Sequence, residues 1–378
     1  MTPGPIGIDY TAALTQGGGI GRYTRELISA LAALDEETDY RLFAAGFSRS
    51  KLPKAPGANF TWTPSRLNPI WFARIWHRLR LNIPIETWTG SIKLLHAPDF
   101  TLPPTHSKTH TILTVHDLSF VREAWTSKPS LRAYLDRVVP RSIKRADLIL
   151  ADSQATRDDI IDIYHIPDSK IRVLYSGVDD HFHPVQDPIL LNQIRERYRI
   201  GSQPYIFSVG TVQPRKNYER LVEAFYSLNR SGLKLVIAGG KGWLDSPLYK
   251  RVAELGLQDR VQFLGFTPDD DLPALYSASS AFAFPALYEG FGLPPLEAMA
   301  CGIATVVSNR SSLPEVVGDA AIQVDPYDVE AITEGLRQAL DDELLRNTLI
   351  HQGHLRVQQF TWQAAAAKLH QFYNELTN

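Results

Sequence analysis

Short runs of consecutive apolar residues alternate along this chain with stretches whose apolar positions recur every three or four residues. The first half carries six such runs: "IGIDY", "YRLFAA", "IKLLHA", "TILTVHD", "DLILAD" and "IRVLY". The second half carries six more: "YIFSVG", "LKLVIAGG", "VQFLG", "SAFAFPA", "IATVV" and "AIQVD". Most are continuous rather than alternating, as expected of parallel strands covered on both faces. Strand–helix alternation implies right-handed crossovers and therefore doubly wound sheets. The polar, proline-closed stretch "SGVDDHFHPVQDP" (176–188) breaks the order. A helix "ILLNQIRERYRI" and the loop "GSQP" then precede a new strand at Tyr205. The pattern predicts an α/β protein with two Rossmann-like, doubly wound parallel-sheet domains, about 1–180 and 190–360. A last helix, "TWQAAAAKLHQFYNEL", fills 361–378.

Composition narrows the classes. With 378 residues, 44% of them hydrophobic and 21% charged, the chain can bury two cores. A net charge of −2 gives no overall pull toward nucleic acid. The single cysteine, Cys301, excludes an internal disulfide framework and any multi-cysteine metal site. It suits a reduced cytoplasm and a small buried apolar position. The opening "MTPGPIGIDYTAALTQ" lacks the basic flank and apolar run of a secretory signal. No apolar stretch approaches the ~18 residues of a bilayer span. The expectation is a soluble cytoplasmic protein, with peripheral attachment to the inner face of the membrane left open.

The segment "YEGFGLPPLEAMACG", 288–302, carries the most specific chemistry. Pro294 and Pro295 lack N–H groups and suit the first turn of a helix, so one is predicted to start near Gly292. Leu296, Met299 and Ala300 continue its buried face, and Gly302 ends it. A helix N-terminus beside glycines attracts anions. Glu289, just outside it, and Glu297, roughly 7 Å along the axis at ~1.5 Å per residue, would repel an anion and suit hydroxyls of the same ligand. The spacing is that of a ribose and a hexose joined by a diphosphate. The bland alternative is a buried helix with two incidental acids.

Other motifs lie where strands end. "GGGIGRYTREL" from Gly17 follows the first strand, and its helix buries Ile20, Tyr23, Leu27 and Leu31. It fails as a dinucleotide fingerprint, since Arg22 or Thr24 occupies the last glycine position, and Lys241 lacks the glycine of a Walker A loop. "SVGTVQPRKNYERLVEAF" sets Arg215 and Lys216 at a strand-to-helix loop, a place suited to a diphosphate. "HDL" puts His116 at a strand's carboxyl end. "PDDDL", 268–272, contains an Asp-x-Asp that could bind a divalent cation but reads better as a helix cap. Between Asp39 and Glu86 there is no acid, against eight Lys or Arg residues. There "NPIWFARIWHRLRL" places Trp71, Ile75 and Leu79 on one helical stripe beside Arg74 and Arg78. Such a basic, aromatic arm (66–80) suits an anionic membrane surface, or packing on its own domain.

Taken together, these motifs resemble family 4 of the retaining glycosyltransferases over nearly the whole chain. "EGFGLPPLEAMACG" resembles its E-x7-E signature, "SVGTVQPRKN" its diphosphate loop, "GGGIGRYTREL" its N-terminal glycine loop and "TWQAAAAKL" its closing helix. The resemblance implies the GT-B fold, two Rossmann-like domains facing across a cleft, with the closing helix crossing back to the first domain. It implies roles as well. Glu297 would hold ribose hydroxyls and Glu289 a hydroxyl of the donor hexose. The backbone of Gly290, Phe291, Gly292 and Leu293 would meet sugar and phosphate, and Arg215 and Lys216 the diphosphate. His116 would reach the donor sugar, Gly18 and Gly19 would lie under phosphate and acceptor, and Leu264, Gly265 and Phe266 would line the base. One departure stands out: many members carry arginine where this chain has Thr211, and Arg215 would supply that charge from a neighbouring position.

The implied reaction is transfer of a hexose with retention, from a nucleoside-diphosphate sugar to a saccharide or lipid-linked saccharide. It needs no metal or other cofactor, because cations and a helix N-terminus stabilise the leaving diphosphate. Competing readings are a same-fold isomerase or phosphorylase, and a non-catalytic sugar-nucleotide binder. A glycosidase has no use for the Arg-Lys loop. The wide use of uridine donors favours UDP-glucose, with GDP-mannose as the alternative because the "PRKN" type of loop also occurs in mannose-transferring relatives.

Overall fold

Seven parallel strands make the first sheet of the computed structural model, which describes residues 4–244 and 246–377; Met1–Pro3 of the opening segment lie outside it. They are β1 Ile6–Asp9, β2 Tyr40–Ala45, β3 Phe60–Ser65, β4 Leu94–Ala97, β5 His110–Val115, β6 Leu148–Ala151 and β7 Ile171–Val173, in the order β3-β2-β1-β4-β5-β6-β7. Six parallel strands make the second: β8 Tyr205–Val209, β9 Lys234–Ala238, β10 Val261–Gly265, β11 Ala281–Phe284, β12 Thr305–Ser308 and β13 Ile322–Val324, ordered β10-β9-β8-β11-β12-β13. Every run read as a strand is one. The additional strand is β3, "FTWTPS", which the apolar pattern misses. It alternates polar and apolar residues and contains Pro64, as an edge strand can because one side of its backbone needs no partner.

Both sheets are doubly wound α/β layers with a core of aliphatic strand residues under helices. In the first, Ile8, Leu42, Leu94 and Ile112 pack with Tyr23, Leu27 and Leu31 of the helix Gly19–Leu34. Trp362, Leu369 and Tyr373 of the last helix, Trp362–Thr377, join the same core. Tyr373 Oη also meets Nδ1 of the fully buried His96 at 2.7 Å, and Thr114 Oγ1 takes the other ring nitrogen at 3.0 Å. Burial, with the charge of His116, pushes His96 down to about 3, so it serves as a neutral structural link. In the second, Ile206, Leu235, Ile237 and Val306 pack with Leu221, Val222 and Phe225 of the helix Tyr218–Ser227.

The chain divides into a first unit of Met1–Leu118, Pro129–Gly177 and Thr361–Asn378, and a second of Ser119–Lys128 and Val178–Phe360. Ser119–Lys128 thus leaves the half to which sequence order assigns it. The ties are specific: Tyr327 Oη donates to Glu123 Oε1 (2.8 Å), Trp243 Nε1 donates to the Thr126 carbonyl (2.8 Å), and Lys128 lies 5.3 Å from the Trp243 ring.

Two local readings need correction. The basic arm is no single amphipathic helix. A short helix, Pro69–Phe72, runs into a π-turn, Ala73–Arg78, and Phe72 and Trp76, four residues apart, are both buried. These two rings join Phe43 and Trp88 in an aromatic cluster. Trp71 and Leu79 of the expected stripe remain exposed, with Arg74 4.9 Å from the Trp71 ring. At 268–272, Asp271 does precede the helix Leu272–Ser277, but its side chain does not cap it. It pairs instead with Arg197 and accepts from Tyr198 Oη at 2.6 Å. Among the described residues no helix is long and apolar enough to cross a membrane. Cys301 is buried, and burial near Glu297 pushes its thiol up.

Candidate active site

In the second sheet, adjacent strands β8 and β11 bring the two strongest motifs together. After β8 the backbone turns at Gly210, which has φ +149°; a Cβ there would stand 2.9 Å from Lys216 Cε. Glycine thus clears the route by which Lys216 folds back toward the strand. Pro214–Lys216 form one tight turn, and Asn217 follows in the left-handed region at φ +61° before the helix Tyr218–Ser227. Asparagine tolerates that conformation better than most residues. Its buried amide donates to the carbonyls of Pro285 (2.9 Å) and Pro326 (2.6 Å), clamping the turn to the ends of two other strands. The adjacent loop answers with a backbone bond, as Leu287 N donates to the Arg215 carbonyl at 2.9 Å.

That clamp carries Arg215 and Lys216 to Glu289. Lys216 Nζ lies 2.7 Å from Glu289 Oε1, and Arg215 reaches the same oxygen at 3.0 Å while donating to the Tyr288 carbonyl at 2.6 Å. Lys216 also sits 4.6 Å from the Phe284 ring, a cation–π contact. Burial alone would raise the Glu289 pKa, but the charges of Arg215 and Lys216 outweigh it and hold the carboxyl below its ordinary value. The cluster is an ion pair in which two cations share one carboxylate oxygen. Neither Ser311 nor Ser312 was singled out in the sequence, yet both fix it. Ser311 Oγ accepts from Glu289 N (2.9 Å), and Ser312 Oγ donates to the carbonyls of Glu289 (2.9 Å) and Phe291 (2.6 Å).

Gly290, Phe291 and Gly292 lead into the helix Leu293–Ala300, with Pro294 and Pro295 in its first turn as expected. Gly292 takes φ +117°, and a Cβ there would come within 2.7 Å of Leu313 Cδ2. Glu297, on the second turn of this helix, is buried, and its Oε2 accepts from the hidden Tyr276 hydroxyl at 2.9 Å. Thr211 stands exposed at the exit of β8. Leu264, Gly265 and Phe266 end β10, two strands from β8 and so roughly 10 Å across the sheet. Phe266 is 75% exposed, an unusual position for a phenyl ring and one that suits stacking. Among the described residues no group of three or more His, Cys, Asp or Glu side chains is placed to hold a metal ion.

His116, Gly18 and Gly19 belong to the first unit. Gly18 caps the helix Gly19–Leu34, and a Cβ at Gly17, Gly18 or Gly19 would meet open space. Packing instead demands Gly21, whose Cβ would strike the Gln16 carbonyl at 1.9 Å. His116 is buried at the carboxyl end of β5, with Nδ1 2.7 Å from Asp152 Oδ2 and Nε2 2.9 Å from the Pro98 carbonyl. Burial works against the imidazolium, yet the Asp152 carboxylate outweighs it and raises His116 to about 9. Protonated, the ring donates in both directions. Asp152, like Ser311 and Ser312, goes unmarked in the sequence; its only signal is its place at the end of "LILAD", next to β5 in the sheet.

A doubly wound pair of parallel sheets, with cations, an acid and a glycine-flanked helix N-terminus at one carboxyl edge, defines the GT-B class of glycosyltransferases. Comparison with known proteins names the family. The profile described as "Glycosyltransferase Family 4" matches residues 17–182, and that of "Glycosyl transferases group 1" matches residues 192–356. The chain is 33% identical over 359 residues to the O-antigen chain mannosyltransferase B of Escherichia coli, covering 91% of this chain and 93% of that one. It is 31% identical over 261 residues, 66% of each chain, to the GDP-mannose-dependent alpha-(1-6)-phosphatidylinositol monomannoside mannosyltransferase of Mycobacterium tuberculosis. Among solved structures, sucrose-phosphate synthase of Thermosynechococcus elongatus superposes with a TM-score of 0.76 over 99% of both chains, at 21% identity. The chain belongs to glycosyltransferase family 4.

Proposed function

We propose that this glycosyltransferase moves mannose from GDP-mannose, with retention and without a metal, to a saccharide or lipid-linked saccharide in the synthesis of a surface polysaccharide. The observation that carries the reading is the Arg215–Glu289–Lys216 cluster beside the N-terminus of Leu293–Ala300. A diphosphate entering there meets two cations and the positive end of the helix dipole, which stabilise negative charge as it develops on the leaving group. Arg215 and Lys216 shift part of their contact from Glu289 to phosphate oxygens, and Glu289 becomes free to accept from a sugar hydroxyl. The acceptor oxygen bonds to the anomeric carbon as the carbon–phosphate oxygen bond breaks on the same face. The acceptor's proton passes to the departing phosphate. Glu297 and Leu264–Phe266 take the ribose and base.

The mannosyltransferases among the relatives support GDP-mannose over the UDP-glucose that the sequence by itself favours. The exposed arm at 66–80 lets a cytoplasmic enzyme meet an anionic membrane surface, where lipid-linked acceptors reside. Turnover of GDP-mannose and UDP-glucose, with and without a saccharide acceptor and with excess EDTA, tests the reading. Product formed from GDP-mannose only with acceptor present, unchanged by chelation and with its anomeric configuration kept, is the expected result. Turnover of UDP-glucose alone would replace the donor, Mn²⁺-dependent activity would refute metal independence, and nucleotide binding without turnover would leave a binding protein.

A further inference from the structure

The first unit holds a cavity of about 530 Å³ that the proposed reaction does not use. Its lining includes Thr111 at the start of β5 and Asp147 just before β6, whereas His116 follows the other end of β5. Five residues of strand separate Thr111 from His116, about 16 Å at ~3.3 Å per residue. The cavity therefore sits at the amino edge of the sheet, away from the carboxyl edge that carries the sugar chemistry.

Its charge is distinctive. Arg80, Arg141 and Arg145 line it against one lining carboxylate, Asp147, whose Oδ2 already accepts from Thr111 N (2.8 Å) and Thr111 Oγ1 (2.9 Å). Arg145 is fixed in place by donating to the carbonyls of Leu102 and Pro103. Arg80 and Arg141 are exposed at their positions and suited to grip a phosphoryl group in forked geometry. Arg80 lies in the left-handed region at φ +57°, just beyond the π-turn Ala73–Arg78. A left-handed residue at this place ends the winding.

The rim is apolar. Leu81 lines the cavity and is exposed, and Leu79, Ile70 and Trp71 of the same arm are exposed beside it in sequence, Ile70 and Leu79 at 63% each. Four large apolar side chains exposed within twelve residues suit an interaction surface. The segment also lies in the stretch that has eight basic residues and no acid, which selects an anionic partner over an ordinary protein surface. We propose that this cavity receives the phosphoryl headgroup of an anionic lipid while Ile70, Trp71, Leu79 and Leu81 enter the adjoining bilayer surface. The inference rests on the membrane-facing part of the reading above and adds to it a defined headgroup site.

Flotation with vesicles of phosphatidylcholine, alone or mixed with phosphatidylglycerol, tests it on the full chain. Wild type should float with the mixed vesicles only, and glycerol 3-phosphate should compete. Arg80→Ala/Arg141→Ala should bind roughly tenfold more weakly than Arg49→Ala/Lys54→Ala, which removes equal charge outside the cavity. Circular dichroism confirms that both variants are folded. Wild type that floats with neither vesicle refutes the membrane reading, and the headgroup site with it. Flotation equal in the two double variants refutes the headgroup site while the membrane reading stands. Calorimetric binding of glycerol 3-phosphate without flotation would assign the cavity to a soluble phosphate ester and overturn the lipid.

Discussion

Lys216 and Arg215 share one carboxylate oxygen, and their coupling can be worked out from that geometry. Lys216→Ala removes a charge-assisted contact of 2.7 Å, yet Arg215 remains 3.0 Å from Glu289 Oε1 and keeps the buried carboxylate compensated. The stability cost should be about 1–2 kcal/mol, near that of one hydrogen bond to a charged group. Arg215→Ala should cost a similar amount, since Lys216 then provides the compensation. Removing both leaves Glu289 with one-tenth of its side chain exposed and without either cation. An unpaired charge at such a site is far more costly than a weakened pair, so the double variant should exceed the sum of the singles by about 1–2 kcal/mol. Adding Glu289→Gln to the double variant removes the charge and should restore much of that loss. Activity should behave differently. Lys216→Ala should lower kcat/KM about 100-fold, or ~2.7 kcal/mol of transition-state stabilisation, and Glu289→Gln should not restore it. Urea unfolding of the four variants and donor kinetics read the two quantities separately. Strictly additive stabilities would refute the shared ion pair, and Lys216→Ala with near-wild-type kcat/KM would refute the role of Lys216 at the leaving group.

Other outcomes follow from the same contacts. Glu289 has a folded pKa below its ordinary 4.5, so the stability it contributes is present above about that pH and is lost as pH falls through the folded value. Urea unfolding between pH 6 and 3 should show this loss in wild type and less of it in Glu289→Gln. His116 has the opposite sign: raised from 6.5 to about 9, it contributes stability fully below pH 6.5 that is lost as pH rises through 9, and Asp152→Asn should flatten that decline. Glu297→Ala should mainly raise the donor KM and weaken nucleoside diphosphate binding, while Glu289→Ala lowers kcat with that affinity nearly intact; equal losses of nucleotide affinity by calorimetry would end this division of roles. Gly292→Ala should destabilise by more than ~1 kcal/mol in thermal unfolding, because its φ of +117° and the Leu313 side chain both oppose a Cβ.

Local periodicity in the sequence was enough for twelve of the thirteen strands, because a strand covered on both faces must be apolar along its whole length. The start of the helix at Gly292 was legible too, since proline can occupy only its first turn. Positions of the candidate site on strand ends followed from the same alternation. What the chain order could not reveal was who meets whom. Glu289 joins Arg215 and Lys216 across more than 70 residues because β8 and β11 are neighbours in a sheet whose order is not that of the chain. Asp152 reaches His116 only because β5 and β6 pair in register. Ser119–Lys128 groups with the second unit, with side-chain contacts to Tyr327 and Trp243 among its ties, which no local pattern encodes. The basic arm shows the limit most clearly. A helical wheel puts Phe72 and Trp76 on one stripe and Trp71 and Leu79 near another, but it foresees neither the π-turn nor that the cluster with Phe43 and Trp88 covers the first stripe and leaves Trp71 and Leu79 exposed. Propensity and periodicity act between near neighbours, whereas a winding defect is stabilised only by the packing it permits, and that packing exists only in the folded chain.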